Sequence, residues 1–190
     1  AIRLAFRDGG IEPLRYPFAP DGSDERQYSS PGFRIPVASI TKDKYYEYPQ
    51  YHTSMDNLGF VTGSQLFESF RIYEDVIRII DDNCLIRSRL PNGEAQLGRR
   101  GLYPSIGGAI KQGAAGADIG LDQQSQVDLM SWILFLADGT HDLVAIAEKS
   151  QFEYKAIQGC VAVLLENDLI ELAPSVPVDS KRKVNQAAPI

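Results

Sequence analysis

One of the chain's two histidines, His52, stands in the polar run Tyr51-His52-Thr53-Ser54-Met55-Asp56-Asn57, between a strand-like stretch and a well-signalled helix. An imidazole held in such a loop can ligate a metal, with the nearby hydroxyl and carboxylate groups orienting it. The same run also reads as a surface histidine followed by a helix-initiating Ser/Asp/Asn cluster. A second cluster, Ser23-Asp24-Glu25-Arg26-Gln27-Tyr28, follows the turn Pro20-Asp21-Gly22. Adjacent carboxylates in a cleft can divide labour, one holding a metal or an amine while the other takes a proton. The alternative is a helix N-terminus, with Ser23 as cap and Asp24 and Glu25 complementing the dipole. Between the clusters, residues 42–50 carry Tyr45, Tyr46, Glu47 and Tyr48, which suit the lining of a binding site or a surface loop packed on its own rings.

The elements that would position these groups follow from periodicity. Leu14, Tyr16 and Phe18 alternate with Arg15 and Pro17, as in a short edge strand, and Ile35 and Val37 predict a second short strand leading towards His52. Thr62-Gly63-Ser64-Gln65 reads as a capping box. Leu66, Phe70, Tyr73, Ile77 and Ile80 then predict a helix with a buried stripe, ending near Asn83. Residues 88–120 are punctuated by glycine, and Gly98-Arg99-Arg100-Gly101 lacks the context of a phosphate loop. Past Leu121, three short helices and a strand are expected. The first uses Val127, Met130, Ile133 and Leu134, the second is capped by Asp142, the third runs from Glu153 to Leu165, and the strand spans 168–173. That order is the order of a winged helix. The expected organisation is thus a first domain over 1–108, a linker over 109–120, a winged helix over 121–173 and a disordered tail over 174–190.

The chain has 190 residues, 44% of them hydrophobic and 23% charged, and a formal net charge of −6. That acidity argues against nucleic-acid and anionic-membrane partners, and no apolar run is long enough to span a bilayer. A cytoplasmic location is expected. Cys84 and Cys160 lack any motif spacing and read as buried thiols, while His141 reads as a surface residue at the start of the second helix. The opening run Ala1-Ile2-Arg3-Leu4-Ala5-Phe6-Arg7 has no initiator Met and neither signal- nor transit-peptide make-up, and reads as mid-protein sequence.

Taken in order, Gly22-Ser23-Asp24-Glu25-Arg26-Gln27-Tyr28, Ser30-Pro31-Gly32, Ile35-Pro36-Val37, Tyr48-Pro49, Tyr51-His52-Thr53-Ser54, Asp56-Asn57-Leu58 and Gln96-Leu97-Gly98-Arg99-Arg100-Gly101-Leu102-Tyr103 resemble one family. It is the C-terminal half of bacterial aminopeptidase-like proteins with an appended winged helix, described as polysaccharide-biosynthesis peptidases and similar to zinc aminopeptidases and glutaminyl cyclases. The resemblance implies an α/β fold: the C-terminal part of a mixed-sheet zinc-aminopeptidase-like domain followed by a small winged-helix domain. It implies zinc held by His52, catalytic carboxylates at Asp24 and Glu25, and substrate contacts at Arg26, Tyr28 and Tyr51. The implied reaction is hydrolysis of an N-terminal peptide or amide bond, with a peptide or aminoacyl substrate. Ser29 departs from the family's Cys.

A catalytic zinc needs about three protein ligands, and in the family a His and an Asp come from the N-terminal half. This chain is therefore expected to be a fragment, a split subunit or a remnant, needing a partner that carries the remaining ligands, and to be an oligomer rather than a stable monomer. The competing expectation is a non-enzymatic interaction or assembly subunit built on the acidic winged helix.

Overall fold

The computed structural model describes residues 1–20, 22, 24–102 and 119–174. The chain divides into two compact units, Ala1–Asp81 and one beginning at Asp82.

In the first unit, α1 (Ile2–Asp8) packs on α3 (Gly63–Asp81), burying Leu4 and Ala5 of one and Val76 and Ile79 of the other. Between them in the chain lies α2 (Asp24–Tyr28), a single turn and a half with Asp24 and Glu25 in its first turn. Ser23, expected as its cap, lies outside the described residues. The capping box at α3 forms as the sequence predicts. The Thr62 backbone N–H donates to Gln65 Oε1 at 3.0 Å, and the Gln65 N–H donates back to Thr62 Oγ1 at 3.4 Å.

Two expectations about this unit fail. Neither the 14–18 segment nor the 34–40 segment is a strand, and Leu14, Tyr16, Phe18 and Ile35 are exposed. Period-2 alternation specifies a strand only where another strand can take up its backbone groups. Here the Ile35 N–H bonds instead to the Tyr28 carbonyl, and Pro13, Pro17 and Pro36 have no N–H to give. The mixed sheet expected of this region is thus absent from its described residues. The second failure is the stripe on α3: Leu66, Phe70, Tyr73, Ile77 and Ile80 are exposed rather than buried. The helix carries two apolar arcs, and short α1 covers the one containing Val76 and Ile79.

The second unit is a winged helix around a three-stranded antiparallel sheet of order β2-β1-β3. Its strands are β1 (Leu85–Ser88), β2 (Asp138–Asp142) and β3 (Ile170–Leu172), and its helices are α4 (Gln123–Leu136), α5 (Leu143–Ser150) and α6 (Tyr154–Glu166). Ile86, Leu129, Ile133, Ile146, Ile157, Leu164, Leu169 and Ile170 form a fully buried core drawn from all of these except β2. Because Leu85–Ser88 is the middle strand, the unit begins near Asp82, well before the expected start at 121. The 109–120 stretch, apart from Ile119 and Gly120, and the tail beyond Pro174 lie outside the described residues.

The three helices match the sequence expectation. Asp122 caps α4, accepting from the N–H groups of Gln124 and Ser125. Asp142 caps α5 through Ala145 N–H at 2.7 Å, while the Asn83 side chain donates to Asp142 and accepts from the Val144 N–H. The start of α5 is thereby tied to the entry of β1. Gly159 on α6 is needed for space: a Cβ there would run into the Ile119 side chain.

Asp142→Ala removes both the cap and the partner of Asn83, and is expected to lower the stability of this unit by about 1–2 kcal/mol. Urea unfolding followed by the fluorescence of Trp132, the chain's sole tryptophan, reads that unit. An unchanged midpoint would contradict the assignment.

Candidate functional site

The site is built on turns. Residues 29–62 contain no helix or strand, and their backbone hydrogen bonds are local: Glu47 to Lys44, Tyr51 to Tyr48, Thr53 to Gln50, Asp56 to Thr53, Phe60 to Asn57. What joins these turns is aromatic. Tyr48 stacks on Phe60 with ring centroids 5.9 Å apart, Tyr51 meets Tyr45, Tyr46 and Tyr48 within 6.2 Å, and Tyr51 lies flat on His52 at 4.0 Å. Two ties hold the layer to α3: the Tyr73 hydroxyl donates to the Ile40 carbonyl at 2.9 Å, and Lys42 pairs with Glu68.

His52 is exposed and sits at φ 55°, a left-handed conformation that side-chain-bearing residues adopt at a cost. The second ring of the tyrosine cluster, Tyr46, approaches the imidazole edge-on at 6.3 Å. The Tyr51 hydroxyl is shifted upward in pKa, first by loss of solvent and then by its tyrosine neighbours, Tyr46 foremost.

Glu25 reaches the same neighbourhood. A Cβ at buried Gly22 would lie 2.7 Å from Glu25 Oε2 and 3.1 Å from Tyr45 Oη, so both groups converge on the glycine. Ser39 Oγ donates to Glu25 Oε1, and this bond, then Glu25's own backbone N–H, holds the carboxyl below the ordinary carboxylate range. The fold thus forms a run of contacts from Glu25 past Gly22 to Tyr45, Tyr51 and His52. Asp24, Arg26 and Tyr28 are exposed on α2, and among the described residues no hydrogen bond ties them to the His52 cluster. Gly22, Ser39 and Tyr45 were not singled out as site residues by the sequence. Only Tyr45's tyrosine-rich setting gave any signal in the sequence.

The described residues do not fit a zinc ion by themselves. Among them no group of three or more His, Cys, Asp or Glu side chains is placed to hold a metal. His141 belongs to the second unit. It lies in β2 rather than at the start of α5, and its Nδ1 is 3.0 Å from Asp138 Oδ2. Asp138 in turn is held far below the carboxylate range, chiefly by the Thr140 N–H. The cysteines are poor nucleophiles: burial pushes the Cys160 thiol up to about 12 and raises that of half-buried Cys84. Among the described residues no helix is long and apolar enough to cross a membrane.

Comparison with known proteins divides the chain at nearly the same place as its geometry. Residues 3–83 match the family model described as a domain of unknown function, DUF4910, and residues 84–172 match a winged helix-turn-helix model. A Clostridium acetobutylicum protein named for polysaccharide biosynthesis and an aminopeptidase-like domain is 38% identical over 155 residues, which cover 82% of this chain and 33% of that protein. A crystal structure from Clostridium acetobutylicum, described as that of a peptidase, matches with a TM-score of 0.72 at 31% identity, covering 90% of this chain and 35% of the other. The chain therefore spans about a third of the length of these relatives.

Two outcomes follow from the geometry. His52→Gly relieves the left-handed backbone, so stability should hold or rise by up to about 1 kcal/mol while the imidazole is lost; urea unfolding followed by tyrosine emission measures it, and a clear loss would show that stacking on Tyr51 outweighs the strain. Ser39→Ala should raise the Glu25 pKa towards its ordinary value in an NMR carboxyl titration. Because the folded pKa is depressed, the carboxylate's stabilising contribution is complete above the unfolded value and is lost as pH falls through the lowered one. The variant should lose that dependence.

Proposed function

We propose, on the premise of this similarity to an aminopeptidase-like protein and a peptidase structure, that the chain is the C-terminal part of a zinc-dependent aminopeptidase-like hydrolase that cleaves N-terminal peptide or amide bonds. His52 contributes one metal ligand, and the remaining donors come from polypeptide outside the described residues. The observation that carries the reading is the run of contacts linking Glu25, through Gly22 and Tyr45, to Tyr51 and His52. It supports reading a carboxylate, aromatic walls and an imidazole as parts of one site.

The roles divide by chemistry. Glu25, ionised and held by Ser39, is the group to accept a proton or to pair with a substrate amine. Asp24 at the start of α2 is the second acid, and Arg26 and Tyr28 are exposed where a substrate could reach them. The tyrosines around Tyr51 offer apolar faces with polar tips, suited to a peptide side chain. The proposed cellular setting is the cytoplasm, without nucleic-acid or membrane partners, in keeping with the net charge of −6.

A second reading is an interaction or assembly subunit. Trp132 and Phe135, exposed at neighbouring positions on α4, favour it, because large aromatic side chains in solvent are common at protein interfaces.

The deciding experiment combines the chain with the remaining part of the clostridial relative and measures zinc content beside hydrolysis of an aminoacyl reporter. Zinc should be retained and lost on His52→Ala. Glu25→Gln should keep the metal and lower kcat by about 100-fold or more. Neither zinc nor hydrolysis in the combined sample would sink the enzymatic reading and leave the assembly reading.

A further inference from the structure

Two tyrosine–glutamate pairs lie in the loop layer of the first unit, and one of them already holds a cation. The Lys44 ammonium bonds Glu47 Oε1 at 2.5 Å and lies 4.7 Å from the centre of the Tyr16 ring, while the Tyr16 hydroxyl donates to Glu47 Oε2 at 3.4 Å. A carboxylate beside a tyrosine is thus this layer's way of holding an organic ammonium, through a charged hydrogen bond and the negative face of a ring.

Tyr45 and Glu25 bring the same two groups together over Gly22. Tyr45 Oη and Glu25 Oε2 lie 3.1 and 2.7 Å from the point where a Cβ on Gly22 would stand, so they are no farther apart than two hydrogen bonds laid end to end. They do not bond each other. Among the described residues Glu25 has no basic partner, the Ser39 hydroxyl takes up only Oε1, and the Tyr45 hydroxyl has no hydrogen-bond partner. The lysines nearest in the chain are engaged elsewhere, Lys42 with Glu68 and Lys44 with Glu47. Both Glu25 and Tyr45 are half-buried.

The chemistry of this pair selects its ligand. Glu25 is ionised at neutral pH, which turns an anion away. A metal ion wants more donors than one carboxylate, and among the described residues no group of side chains supplies them. An ammonium nitrogen donates up to three hydrogen bonds and accepts none, so it can bridge a carboxylate oxygen and a phenol oxygen while its charge offsets that of the carboxylate. Tyr46 and Tyr51 extend the aromatic surface beside Tyr45, with ring centroids 5.6 and 6.2 Å away, and Tyr46 is 75% exposed. We infer that Tyr45 Oη and Glu25 Oε2 form a two-point site for an organic ammonium, kept open by the missing side chain of Gly22 and built without any metal ligand. The group bound is an α-amine or a basic side chain. That it belongs to a substrate rests on the hydrolase reading; the site itself does not.

The test titrates the full chain, followed by NMR, with three probes: leucine amide, which has a free α-amine; Nα-acetyl-lysine amide, whose amine is on the side chain; and N-acetyl-leucine amide, which has no amine. At least one of the two amines should bind about 10-fold or more tightly than the neutral probe, and the tighter of them names the source of the ammonium. Tyr45→Phe keeps the ring contacts and should weaken that binding by about 10-fold, with Glu25→Gln weakening it further. Gly22→Ala, whose methyl would crowd both oxygens, should also weaken it. Tyr16→Phe, which removes the hydroxyl of the other pair, should leave it unchanged. The inference is overturned if the neutral probe binds as tightly as both amines, or if Tyr45→Phe or Glu25→Gln leaves amine binding unchanged. Amine binding by this chain, with neither zinc nor hydrolysis once the remaining part of the clostridial relative is added, would remove the enzymatic reading and leave the site standing. Hydrolysis in that combined sample with an unchanged KM in Tyr45→Phe would do the reverse.

Discussion

A loop layer with no ladder hydrogen bonds has to be held by something other than its own backbone. In this protein the holding is done by rings and by two ties to α3. Residues 29–62 close a series of local turns, and each turn by itself is marginal. The tyrosines stack across them, and Tyr73 and Glu68 fasten the layer to a helix. Glu25, Tyr51 and His52 depend on this arrangement. Glu25 meets the cluster because Gly22 has no side chain to fill the space, and His52 keeps its strained backbone beside the Tyr51 ring.

The second unit is stabilised differently. Its core is a continuous set of buried aliphatic side chains around one central strand, with carboxylates capping two of its helices. Short β1 is the piece that everything else closes upon: β2 and β3 flank it, and Asn83 just before it binds the start of α5. Such a unit needs no aromatic scaffold because its backbone groups are satisfied by helix and sheet.

The contrast separates the unit that carries the candidate functional groups from the one that does not. A loop layer can place a carboxylate, a hydroxyl and an imidazole on one surface at angles that a helix or strand would forbid. It does so here without completing a metal site, since among the described residues no group of three or more His, Cys, Asp or Glu side chains could hold a metal. The uncovered face of α3 belongs to the same unit.

The helices α3 to α6 and the caps at Thr62 and Asp142 were determined by the sequence alone, whereas α1 was not legible in it. Thr62 with Gln65, Asp142 before Leu143, and the apolar spacing of α4 and α6 are local signals, and local hydrogen bonds and side-chain contacts within a few turns are enough to realise them. The clusters at Asp24-Glu25 and Tyr51-His52 were equally legible, because polar and aromatic groups of those types are chemically distinctive wherever they stand. Strands were another matter. β1 is four residues long and β2, Asp-Gly-Thr-His-Asp, has no apolar pattern at all, so both exist only because partners from distant sequence meet them. The alternation at 14–18 and 34–40 misled for the same reason in reverse, since no partner strand arrives. Burial on α3 was also beyond the sequence: periodicity marks which residues share a face, but only the neighbour that packs there decides which face is covered. The link from Glu25 to His52 is likewise tertiary, because it runs through a missing side chain at Gly22 and a stack of rings that no spacing in the sequence announces.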